Sequence, residues 1–221
     1  MKRFILLTVV LALVLPACAS AAPRVGVRGG IVCRYPDGHT VRLTHSRRDT
    51  EPTLSPDGHH VAFVRVLHKQ VPYEMYSVRS ALWLGDCATG SAHEIVASTP
   101  QFDKAGHYFG DSDNPRFSLN GGYLYFETSE APTSGAVHQF NLATGAHRLV
   151  TYGGDVRVIR SGPYRGDLLV SQHTCKPGGG CLFPFYIIRP DGQTIQQISG
   201  SEQWTYADLA AWLRTKGWKA W

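Results

Sequence analysis

Pro52-Thr-Leu-Ser-Pro-Asp-Gly58-His-His-Val61-Ala62-Phe63 returns later in the chain as Pro115-Arg-Phe-Ser-Leu-Asn-Gly121-Gly-Tyr-Leu124-Tyr125-Phe126. In both copies Ser follows Pro by three residues, Gly follows Ser by three, and an apolar triplet opens three residues later. Ser55-Pro56-Asp57-Gly58 is turn chemistry. An Asp or Asn side chain bonds the backbone just ahead of it, and Gly takes positive φ without steric cost. Apolar, β-branched and aromatic residues flank each turn, so each copy predicts a β-hairpin.

A second unit alternates with the first. Ile31-Val-Cys-Arg34 runs through Tyr35-Pro-Asp-Gly38 into Val41-Arg-Leu-Thr44. Its later copies run Ala81–Leu84 to Gly90 to Glu94–Val96, Val137 to Gly145 to Leu149–Thr151, and Phe185–Ile188 to Gly192 to Thr194–Ile198. Each is a strand, a tight turn ending in Gly, and another strand. The turn glycines recur every 47 to 55 residues, near the length of a four-stranded propeller blade widened by loops. A third first unit fills Val156–Ile159 and Asp167–Val170 around Gly162-Pro163, without the Ser-Pro-Asp-Gly turn. Three first hairpins and four second hairpins predict an all-β fold. It is a small or partial β-propeller of about three to four blades, each a four-stranded antiparallel sheet, with a half-blade at the N-terminus.

The 221 residues are 43% hydrophobic and 18% charged, which excludes a disordered polyelectrolyte and a multi-span membrane protein. Residues 1–21 have the form of a secretory signal: Lys2 and Arg3, the apolar run Phe4–Leu15, then Ala19-Ser-Ala21 for cleavage. Leu15-Pro-Ala-Cys18 offers a second reading as a lipobox that would acylate Cys18 and tether the protein to a membrane. Proline is unusual in that motif, and soluble export is the preferred reading. Removal of Lys2 and Arg3 lowers the formal charge from +5 to +3. The remaining arginines are scattered and no nucleic-acid module accompanies them, so no nucleic-acid partner is expected.

Four cysteines remain after the signal, an even number that implies disulfides in an exported chain. Cys175 and Cys181 bound a glycine-rich turn and are expected to pair, leaving Cys33 for Cys87. Zinc is the rival reading, but no Cys-x-x-Cys or nearby His pair has ligand spacing.

Ser55-Pro56-Asp57-Gly58 before Val61-Ala62-Phe63, with Leu82-Trp83, Ala88-Thr89-Gly90 and Val41–Thr44, resembles the repeat of the TolB-like propeller family. The resemblance covers about residues 30 to 200, within a propeller region expected at 22–200. It implies the fold; TolB itself carries a preceding domain and a six-bladed ring and serves the Tol–Pal envelope system. Here Ala22–Gly30 alone stands between the signal and the first repeat strand, and the blades are too few, so the Tol–Pal role does not follow. The propellers of prolyl oligopeptidases are similar, but those need a hydrolase domain for which this chain has no room. An incomplete ring leaves strand edges open to self-association or to a completing partner.

Residues 201–221 read as an amphipathic helix with an aromatic tail. Thr205 and Asp208 form a capping box, Leu209, Trp212 and Leu213 share a face, and Gly217 can end the helix. The helix is expected to dock on the propeller; Trp212, Trp218 and Trp221 are the candidate interface residues if it does not.

No nucleophile elbow, zinc-protease or phosphate-loop motif is present, and no cofactor is expected. His93-Glu94 lacks a second His, and His39, His45, His59 and His60 read as solvated turn residues. Asp111-Ser-Asp113-Asn114 sets oxygen ligands at alternate positions. It lacks the Gly and Glu of an EF-hand loop, so Asp111 and Asp113 are calcium candidates only in that limited sense. Two functions follow. The preferred one is a non-enzymatic envelope module, periplasmic or outer-membrane-associated in a Gram-negative bacterium or else secreted, that binds an envelope protein partner. The alternative is an exported hydrolase or lyase whose carboxylates, among them Asp86, Asp103, Asp111 and Asp155, converge with His at the propeller centre.

Overall fold

The computed structural model describes residues 22–68, 79–102, 108–131, 134–175, 179–198 and 204–219. The signal segment with Cys18, Asp103, the boundary at 200/201 and Trp221 lie outside them. Three four-stranded antiparallel sheets follow one another in the chain. The first has β4 (Asp49–Leu54), β5 (His60–His68), β6 (Arg79–Asp86) and β7 (Ala92–Val96). The second has β10 (Asp113–Phe117), β11 (Tyr123–Ala131), β12 (Ser134–Asn141) and β13 (His147–Tyr152). The third has β14 (Gly154–Val158), β15 (Leu168–Ser171), β18 (Phe185–Ile188) and β19 (Thr194–Gln197). In each sheet the strands meander in chain order, and β10, the first strand of the second sheet, lies against the first strands β4 and β14 of its neighbours. Among the described residues this is a partial β-propeller of three blades.

Ahead of the blades stands a three-stranded sheet, β1 (Arg24–Val27), β2 (Ile31–Arg34) and β3 (Thr40–Arg42). The sequence predicts only β2 and β3 here. Arg24–Val27 adds a strand because it pairs in register with β2, Val25 opposite Cys33. Two further hairpins lie outside the repeat grammar: β8 (Thr99–Phe102) with β9 (Tyr108–Phe109), and β16 (Thr174–Cys175) with β17 (Cys181–Leu182).

The apolar triplets are explained by the stacking. Neighbouring residues of a strand point to opposite faces, so a run of buried residues requires both faces covered. Val61 and Phe63 join Ile31, Cys33 and Leu43 between the N-terminal sheet and the first blade. Ala62 and Val64 join Leu124 and Phe126 between the first and second blades. Tyr125 points the other way, into a cluster with Val156, Leu168 and Val170 between the second and third blades. Leu169 and Ile187 form the last layer with Leu209 and Leu213 of α1 (Tyr206–Thr215). Four apolar layers therefore hold five units in line: sheet, blade, blade, blade, helix.

The buried Cys33–Cys87 disulfide ties β2 to the end of β6, and Cys175–Cys181 closes the β16–β17 hairpin. Thr205 caps α1 through its side chain to the Asp208 N–H, and Asp208 returns to the Thr205 N–H at 2.8 Å. Trp212 and Trp218 are half-buried against the last layer, packed edge-on to each other. Among the described residues, no helix is long and apolar enough to cross a membrane.

Candidate functional site

The turn motifs do structural work. Ser55 Oγ donates to Asp57 and accepts from the His60 N–H at 2.9 Å, while Asp57 accepts from the His59 N–H. Ser118, Asn120, Gly122 and Tyr123 repeat that network atom for atom. Gly58 and Gly121 sit at φ +78° and +72°, where a side chain would be strained. Asp86, one of the carboxylates expected at the centre, instead accepts from the Ala88 and Thr89 N–H groups in the β6–β7 turn.

The second recurrence is at the start of each blade. β4, β10 and β14 each carry one extra residue against the next strand, between Thr50 and Thr53, Asp113 and Arg116, and Gly154 and Arg157. The extra residue is a β-bulge, and in every blade it holds a left-handed polar residue: Glu51 at φ 51°, Asn114 at 47° and Asp155 at 58°. Bulges turn N–H groups out of the ladder, and here carboxylates take them up. Glu51 accepts from the Asn114 N–H at 2.7 Å. Glu127, on β11, accepts from the Asp155 and Val156 N–H groups at 2.9 and 2.6 Å, and from the Asn114 side-chain amide. Arg157 donates to the Asn114 Oδ1 at 3.0 Å. The three bulges thus form one continuous polar seam across the inner strands.

That seam lines two adjoining cavities of about 260 and 360 Å³, both walled by Asp113, Glu127 and Asp155. Glu51, Arg116 and Arg157 line the larger; Ser129, Ser171, His173 and Phe183 line the smaller. Asp113 stands opposite Glu127 in the β10–β11 register. Asp113 is exposed by accessible surface, and it lines both cavities. Desolvation there, followed by the charges of Glu127, Glu51, Asp111 and Asp155, pushes its pKa up to about 8. Burial also raises Glu127, against the lowering from Asn114 and the two backbone N–H groups it accepts. The cavities therefore set Asp113, its carboxyl held well above the ordinary range, among other acidic groups and beside two guanidinium groups and an imidazole.

Of the carboxylates expected to converge, Asp155 reaches the seam. Asp111 is tied to the Ser129 N–H at 3.0 Å and to the Ser129 hydroxyl. The two limited calcium candidates are bonded differently: Asp111 accepts from Ser129, and Asp113 faces Glu127 across the β10–β11 pair. Glu51, Glu127 and His173 are the residues that sequence reasoning missed. The residue just before the repeat proline, Glu51 before Pro52 and Asn114 before Pro115, was the signal that marked the seam.

A histidine lies by the second cysteine pair: His173 Nε2 is 3.3 Å from Cys175 Sγ, and the ring stacks on Phe183.

No protein-family model matches the chain, and none of the curated proteins does. Solved structures are similar in fold. Dipeptidyl peptidase 4 of Porphyromonas gingivalis matches at TM-score 0.56 with 13% identity, over 80% of this chain and 31% of that one. TolB from Acinetobacter baumannii matches at 0.47 with 19% identity, over 78% and 38%. The β-propeller domain of the Trilobed protease from Pyrococcus furiosus matches at 0.48 with 15% identity, over 78% and 48%. The chain spans less than half the length of each.

Proposed function

We propose that this protein is an exported, non-enzymatic binding module of the bacterial envelope, periplasmic or outer-membrane-associated, that engages a protein partner through the seam of its inner strands. One observation carries the reading: three successive blades each contribute the same bulged, polar position to one concave surface. Rigid blades hold such a surface in place while loops vary around it, an arrangement suited to recognition. Export rests on the signal-like residues 1–21 and on the buried Cys33–Cys87 disulfide, of a kind that persists in oxidising compartments. Soluble export is the preferred form; a tether at Cys18 is the variant that would add a membrane. The test is cross-linking in envelope extract with a photoreactive residue beside the seam. One partner is expected, and D113K/D155K should abolish its capture while R214E on α1 leaves it intact. Equal capture by both variants would remove the seam as the site.

A hydrolase or lyase is the second reading, favoured by a protonated Asp113 paired with Glu127 and His173 in one cavity. A screen of glycosides, esters and peptides decides it. Turnover lost in D113N would replace the binding reading; no turnover would discard the enzymatic one.

A further inference from the structure

The two disulfides occupy different environments. Cys33 and Cys87 are fully buried in an apolar layer, whereas Cys175 and Cys181 are exposed. The exposed pair has His173 against it, and the ligand atoms of His173, Cys175 and Cys181 all lie within 4.8 Å of one another. A zinc ion bound at about 2.3 Å to sulfur and about 2.0 Å to nitrogen needs ligand atoms roughly 3.5 to 3.8 Å apart. Small side-chain rotations would bring the three groups to that spacing once the sulfur–sulfur bond is open.

We infer that the β16–β17 hairpin is a redox-gated zinc site, with His173, Cys175 and Cys181 as its ligands. A dithiol reductant opens it: two electrons pass to the disulfide, the reductant becomes a disulfide, and two thiols form. Zn²⁺ then replaces the two thiol protons, which leave to solvent, and the imidazole supplies the third ligand. The fourth position stays open to water or to a group entering from the cavity, which His173 also lines. Two thiolates and an imidazole are a donor set suited to zinc, and the register that pairs Cys175 with Cys181 holds both sulfurs on one side of the hairpin.

The test uses the full chain treated with a dithiol reductant at a strength that leaves Cys33–Cys87 intact, verified by thiol counting. Zinc alone is then titrated in under oxygen-free conditions. One equivalent is expected to bind the reduced protein and none the oxidised protein. Uptake should fall at least tenfold in affinity in H173A and be lost in C181S, with H93A binding as the parent does. Cobalt substitution gives a second readout, the intense visible bands of a tetrahedral thiolate site, which should weaken in H173A. Failure of the reduced protein to bind zinc, or parent-like binding by H173A and C181S, would overturn the assignment.

Discussion

Arg65 and Asp49 set the energetics of the first blade at the level of single residues. The pair is bidentate, at 2.7 and 2.9 Å, with Asp49 fully buried and Arg65 22% exposed. The Arg65 guanidinium also lies 3.8 Å from the Trp83 ring centroid, so one side chain neutralises the buried carboxylate and covers an aromatic face. Removing it leaves a buried charge without a counter-ion, which costs more than the pair itself contributes. Arg65→Ala is expected to lose about 3 to 5 kcal/mol in denaturant unfolding. A loss below about 1 kcal/mol, the range of surface pairs, would show that Asp49 finds solvent or another donor. Asp113 gives the pH prediction. Its folded pKa of about 8 lies above the ordinary value of 3.8, so between them the folded state holds a proton that the unfolded state releases. Its contribution to stability is full below the lower value and is lost as pH rises through the upper one; Glu127 acts in the same direction. Melting temperatures measured across that window should fall with rising pH, and Asp113→Asn should flatten the fall. An unchanged slope in the variant would place the titration elsewhere.

At the scale of elements, the two kinds of hairpin in each blade were legible in the sequence because each depends on local turn chemistry. Ser55, Asp57 and Gly58 close their turn within six residues, and Ser118, Asn120 and Gly121 do so again. α1 was legible for the same reason, its capping box lying within four residues. β1 was not, because Arg24–Val27 lies outside the repeat grammar, although Gly29 and Gly30, both at positive φ, form the turn that pairs it with β2. The seam was half legible. Its positions repeat in the chain, but the hydrogen bonds that join the left-handed bulges at Glu51, Asn114 and Asp155 run between blades, which no single hairpin encodes. Asp86 and Asp155 show the difference. Both are loop-proximal aspartates in the sequence, yet one caps a turn and the other enters the cavity.

Among the described residues, the units form a stack whose first and last members differ, a sheet and a helix. Among the described residues, each apolar layer joins consecutive units, and none joins the N-terminal sheet to the third blade. Stacked repeats need end units that turn a polar face outward, and α1 supplies one by burying Leu209 and Leu213 while leaving Asp208, Arg214 and Lys216 outside. The helix therefore substitutes for the next blade. Leu209→Ala removes a fully buried side chain from that layer and should cost about 2 to 5 kcal/mol. A harsher variant separates packing from capping. Leu209→Asp with Leu213→Asp should undock α1 and expose Leu169, Phe185, Ile187 and Ile198, an apolar face matched to a second copy of itself. Light scattering should then report a dimer or larger species where the parent is smaller, and adding Ile187→Asp should reverse the association. If the double variant stays at the parent mass with its blades intact by circular dichroism, the open end is protected by something other than α1, and the helix stabilises the third blade without acting as its cap.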